Sequence, residues 1–105
     1  MSDAVVVFCT CGSEAEAVRL ANATVEARLA ACVNVLPALR SIYRWEENIE
    51  NAEEVLLIVK TTPDRFSALR DHITALHSYD TPEIIALPVT DGSDRYLAWL
   101  RDQTR

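Results

Sequence analysis

Apolar positions in this chain follow two periods. In "AVVVFCT" (4–10) they are contiguous and β-branched, which predicts a buried strand. The polar "GSEAE" that follows carries Ser13 with Glu16 three residues on, the pattern of a capping box. Val18, Ala21, Val25, Leu29 and Cys32 then recur at helical spacing, predicting a helix over about 14–31. "CVNVLP" opens a second extended segment, in which Pro37 has no N–H for a ladder and so marks an edge position or a bulge. "LRSIYRW" carries that strand on to "EENIENAEE", a charged hairpin in which Asn48 tolerates positive φ. "EVLLIVKTT" returns as another buried strand. Thr62 and Pro63 start a helix with the stripe Phe66, Leu69, Ile73 and Leu76. A loop over 77–82 leads into the strand "EIIALPV", and after "TDGSD" the residues Tyr96, Leu97 and Leu100 predict a short last helix.

The order is β-α-β-β-α-β plus a terminal helix, the split βαβ pattern of an α+β, ferredoxin-like sandwich. Right-handed crossovers then give an antiparallel sheet in the order 4-1-3-2. Two features do not suit such a domain standing alone. Two helices cover one face of the sheet, and a sheet with one wet face should alternate apolar and polar. "VVVF", "VLLIV" and "IIAL" do not alternate. Residues 49–62, read as one strand, would also span about 46 Å at ~3.3 Å each, against a usual ~20 Å. The β2-β3 hairpin is therefore expected to overhang as an arm. Its Ile42, Tyr43, Trp45 and Ile49 would meet a partner, with the second sheet face buried in an oligomer of this chain.

Composition narrows the function. At 105 residues the chain has the length of a single domain, 1–105, able to bury a core without staples. A formal charge of −6 disfavours a nucleic-acid partner and favours cations. The three cysteines, Cys9, Cys11 and Cys32, do not form a secreted disulfide framework. "MSDAVVVFCT" lacks the basic lead-in of a signal peptide, and no apolar run approaches the roughly 20 residues of a membrane span. A reducing, cytoplasmic setting is expected.

Three blocks in order, "EARLAACVNVLP" (26–37), "SIYRWEENIENAEEVLLIVKTT" (41–62) and "HSYDTPEIIALPV…YLAWL", make the chain resemble the CutA family of divalent-cation tolerance proteins over nearly its whole length. The resemblance implies a ferredoxin-like fold in a tight homotrimer, similar in architecture to the PII signalling proteins. It also implies a cytosolic role in tolerance of copper and other divalent metals, with no firmly attached enzymatic reaction. Family members commonly have Gly after the "WE" of the hairpin, where Glu47 stands here, so the turn type at the tip is left open. Some carry two His in tandem before the loop; here Leu76 takes the first place and His77 remains.

Topology brings candidate chemistry together. Strand 1 runs antiparallel to strand 4, so Cys9 and Cys11 should lie beside Glu83, with His77 in the loop leading in. Thiol, imidazole and carboxylate suit a soft-to-borderline metal. By the resemblance, Cys9 and His77 correspond to the family's implicated copper ligands, with Glu83 a further candidate. The competing reading makes Cys9 a core residue and His77 a helix C-cap. Cys32 reads as core. Lys60, at a strand end before Thr61 and Thr62, can receive an anion with Tyr79 and Asp80 in an inter-subunit cleft, or simply reach for water. Glu46, Glu47, Glu50, Glu53 and Glu54 either attract cations or keep the arm soluble. No Ser–His–Asp or paired-carboxylate arrangement is evident, so a binding protein rather than an enzyme is expected. The alternative is a PII-like sensor of a small anionic ligand or nucleotide.

Overall fold

A computed structural model describes residues 3–105; Met1 and Ser2, within the stretch read for a leader, lie outside the described residues. The elements are β1 (Val5–Cys11), α1 (Glu14–Glu26), β2 (Cys32–Trp45), β3 (Asn48–Thr61), a 3-10 turn at Pro63–Arg65 running into α2 (Phe66–Leu76), β4 (Ile85–Pro88) and α3 (Asp94–Gln103). The four strands form one antiparallel sheet in the order β2-β3-β1-β4, the expected α+β architecture.

Helix α1 departs from its reading twice. Ser13 caps it, accepting from the Glu16 N–H at 3.2 Å, but the Glu16 carboxylate does not complete a box and turns instead to Ser78. The helix also stops at Glu26 rather than near 31. Leu29 N–H reaches Thr24 C=O and Arg28 N–H reaches Val25 C=O, with Arg28 at φ 60: a Schellman stop with arginine at the left-handed position usually held by glycine. The inward face is Glu16, Ala17, Leu20 and Thr24, whereas Val18, 44% exposed, and Val25 face outward. Polar residues can occupy the buried face because they are satisfied there. Thr24 Oγ1 donates back to the Leu20 and Ala21 carbonyls, and Glu16 is bonded to the loop. Cys32, expected on the helical stripe, instead opens β2.

Strands β2 and β3 are 14 residues each, twice the length of β1. Pairing of β1 with β3 ends at Cys11 opposite Val55, so 48–54 pair with β2 alone and the hairpin overhangs. The molecule is accordingly 44 Å long and 23–25 Å across. Pro37 lies on edge strand β2, in a bulge between Leu36 and Leu39 where Ala38 has φ 64. At the tip Trp45 pairs with Asn48, and positive φ falls on Glu46 (49) and Glu47 (71) rather than on Asn48. Two such residues in a two-residue loop make a type I′ turn, matched in twist to its strands but usually built from Asn and Gly.

Val7, Cys9, Cys11, Val55, Leu57 and Val59 line the sheet face under α1 and α2 and pack with Ala17, Leu20, Leu69 and Ile73. Rows on the opposite face are set by register: Leu87, Val6, Lys60 and Cys32; Ile85, Phe8, Ile58 and Asn34; then Thr10, Leu56 and Leu36. This second face is largely apolar, and Leu36, Ile85 and Leu87 are exposed on it in the single chain. Helix α3 leaves these three exposed. Leu100 packs instead with Ala4 and Ala31 in a small separate cluster.

Candidate metal centre and adjoining cleft

Cys9 and Cys11 are two apart on β1, so both point to the helix-covered face, where both are fully buried. His77 ends α2, its N–H bonded to Ile73 C=O at 2.8 Å, which turns its ring back under the sheet end. The two sulfurs and a ring nitrogen of His77 all lie within 4.8 Å of one another. Near them, His77 Nε2 is 2.8 Å from Thr10 C=O and Nδ1 is 3.0 Å from the Tyr79 N–H. A carbonyl only accepts and a backbone N–H only donates, so the ring carries its proton on Nε2 and offers its lone pair at Nδ1.

The hydrogen bond with Cys11, then burial, then the charges of Cys11, Glu83 and Glu16 push the Cys9 thiol up. The bond from Cys9 lowers Cys11 against the opposing effect of its own burial. A dry set of two thiols and one imidazole suits a soft or borderline cation, and the residues fit the copper implied by the chain's resemblance.

Loop 77–81 is held by buried carboxylates. Glu16, only 6% exposed, accepts from the Ser78 N–H (2.7 Å) and hydroxyl (3.0 Å). Burial alone would raise its carboxyl. The two Ser78 bonds, His77 and the Gly12 N–H outweigh that and keep it below the usual carboxylate range. Tyr79 donates its hydroxyl to Glu54 at 2.7 Å, and burial, then that carboxylate, push the phenol up. Tyr79 passes so close to Gly12 that a Cβ there would lie 3.1 Å from its oxygen. Glu54 is thus a buried acceptor where β3 rejoins the sheet, not one of the arm's solvated charges.

Beside the loop, where the arm leaves the sheet, lies a cleft of about 570 Å³ lined by Thr10, Ser41, Ile42, Tyr43, Trp45, Glu54, Tyr79, Asp80, Thr81 and Glu83. It brings together Tyr79, Asp80 and Glu83 with Tyr43 and Trp45 of the arm. Glu83 therefore belongs to the cleft, and the third member of the buried cluster is Cys11. Lys60 does not line the cleft: it lies on the open sheet face opposite Val6 and Cys32, its Nζ bonded to Asn34 Oδ1. Ile49 is exposed on the arm, opposite Arg44. Sequence reasoning left Cys11 out of the ligand set, although its i, i+2 spacing from Cys9 puts both on one strand face. It also missed Gly12, Glu16 and Glu54.

The fold is thus a ferredoxin-like α+β sheet with an overhanging hairpin and a buried thiol–imidazole cluster at one end. The family model described as CutA1 divalent ion tolerance protein matches residues 5–103, and the chain belongs to that family. It is 50% identical over 99 residues to the divalent-cation tolerance protein CutA of Thermus thermophilus, covering 94% of this chain and 96% of that one. It is 46% identical over 101 residues to the chloroplastic protein CutA of Arabidopsis thaliana, covering 96% of this chain but 56% of the relative's length. The solved structure of a divalent cation tolerance protein from Thermus thermophilus superposes with a TM-score of 0.95 at 49% identity, covering 97% of this chain and 99% of that one. Among the described residues no helix is long and apolar enough to cross a membrane.

Proposed function

We propose that the chain works in divalent-cation tolerance as a homotrimer that binds copper or another divalent cation through Cys9 and His77. Glu83, which lines the adjoining cleft, is a further candidate ligand. The carrying observation is the convergence of thiol sulfur and imidazole nitrogen within 4.8 Å in a fully buried setting. Trimerisation is supported by the apolar second sheet face, with Leu36, Ile85 and Leu87 uncovered, and by the arm's Tyr43, Trp45 and Ile49. The three unpaired cysteines suit a reducing compartment such as the cytoplasm. A role in binding rather than catalysis is proposed.

A PII-like sensor of an anion at Lys60, Tyr79 and Asp80 is the weaker reading. Within one chain the cleft carries the carboxylates of Glu54, Asp80 and Glu83 and no basic side chain, a field that favours cations. Copper titration of wild type, Cys9→Ser and His77→Ala, each shown to be folded, tests the metal reading: both variants should bind more weakly. Equal affinity and stoichiometry in all three would end it. Sedimentation at micromolar concentration should give three times the 11.7 kDa chain mass, and a persistent monomer would end the trimer reading.

A further inference from the structure

Resting on the metal-binding reading above, we propose that Cys11 is a metal ligand equal to Cys9. The resulting two-sulfur, one-nitrogen pocket would select the cuprous ion over oxygen-seeking or four-coordinate divalent cations.

Geometry supports the set. Alternation along β1 aims both sulfurs the same way, and the α2 end delivers the ring to them. Donors about 2.0–2.3 Å from a common ion, with zinc values as the scale, stand roughly 3.7–4 Å apart. The three donor atoms here are within 4.8 Å of one another, so they would close in by about 1 Å at most. Cys32, in contrast, opens the edge strand β2 opposite Lys60 and takes no part.

Donor chemistry then selects the ion. Thiolates favour soft cations, and cuprous copper is the soft first-row ion. No carboxylate joins the cluster, since Glu16 is committed to Ser78 and Glu83 lines the cleft, and the one oxygen at its edge, the Thr10 carbonyl, already accepts from His77 Nε2 and Cys9 Sγ. Calcium and magnesium, which take six or more oxygen ligands or keep their waters, find no oxygen cage here. Zinc almost always holds four ligands, the fourth a water in an open site. Here the cysteines and the His77 side chain are fully buried, so the site is closed to water, and cuprous copper is content with three donors.

The test uses reduced, oxygen-free protein and cuprous ion delivered as its acetonitrile complex against a chromogenic cuprous chelator. Wild type is compared with Cys11→Ala, Cys11→Ser, Cys9→Ser and His77→Ala, and zinc, cupric and magnesium ions are run in parallel. Circular dichroism and melting show which variants keep the fold; Cys11→Ser, nearly the same size, backs up Cys11→Ala. Either Cys11 change should weaken cuprous binding at least about tenfold, the lower end of what even outer partners of metal ligands cost. X-ray absorption on the loaded protein should count two sulfur neighbours in wild type and in His77→Ala, and one in the Cys11 and Cys9 variants. An unchanged affinity or a retained two-sulfur shell overturns the role of Cys11; if Cys9→Ser and His77→Ala still weaken binding, the broader metal reading survives. Tighter binding of zinc than of cuprous ion overturns the selectivity. No binding of any ion by wild type overturns both readings.

Discussion

Glu16 is the residue on which the loop at the candidate centre most depends. Its carboxylate accepts two bonds from Ser78, at 2.7 and 3.0 Å, and is 6% exposed. Hydrogen bonds to a charged group contribute about 1.5–3 kcal/mol each, against about 0.5–1.5 for neutral pairs. Glu16→Gln keeps the shape but loses the charge and can accept only on its oxygen, so a loss of about 1–3 kcal/mol is expected. Glu16→Ala leaves the Ser78 N–H without its acceptor and should cost about 2–4 kcal/mol, on the same scale. Urea unfolding at fixed protein concentration measures both.

The pH dependence carries a sign. The folded-state carboxyl lies below its ordinary value, so the stabilisation is complete above the unfolded value, near 4.5, and is lost as pH falls through the folded value. The gap between wild type and Glu16→Gln should be full at pH 7 and shrink below about pH 4.5. A gap that stays constant down to pH 3, or no gap at pH 7, would refute the idea that an ionised Glu16 pins the loop.

Gly12→Ala should cost about 1–3 kcal/mol by overpacking against Tyr79, and melting should show this loss vanish in a Tyr79→Ala background; a loss that persists there would place the strain elsewhere. Glu47→Gly should stabilise the chain by up to about 1 kcal/mol, because φ 71 costs a side chain and not glycine; destabilisation in a thermal melt would contradict the type I′ tip. Metal loading should leave the Tyr79 N–H without its acceptor whichever His77 nitrogen coordinates. Coordination at Nδ1 uses the lone pair, and coordination at Nε2 moves the ring proton to Nδ1. Amide exchange at Tyr79 should therefore speed up, and an unchanged rate in loaded protein would remove His77 from the ligand set.

Strand order was legible because contiguous β-branched runs and turn residues mark the elements, and the crossover rule leaves little freedom in how they pair. The overhang followed from length alone, and the bulge from Pro37. The α1 stop was not legible, because the left-handed position is held by Arg28 and no glycine signals it. The inward face of α1 was misread for a related reason. Glu16 and Thr24 look polar to a hydropathy pattern, and only tertiary or back-bonded partners make their burial cheap. Glu54 was hidden among the acids of the arm, since its distinction is where β3 rejoins the sheet. Of the candidate centre, Cys9 and His77 could be placed near each other from strand pairing. The tautomer of His77 and the role of the Ser78 and Tyr79 bonds needed the loop geometry, which no periodicity encodes.

The central claim is that Cys9, Cys11 and His77 form one metal site per chain. Unfolding free energy with copper held at 100 times the dissociation constant tests it directly, since a ligand that binds only the folded state at that level adds about 2.7 kcal/mol. Wild type should gain that increment with one ion per chain, and His77→Ala, held at the same free copper, should gain much less. An equal gain in both, or no gain in wild type, would contradict the account.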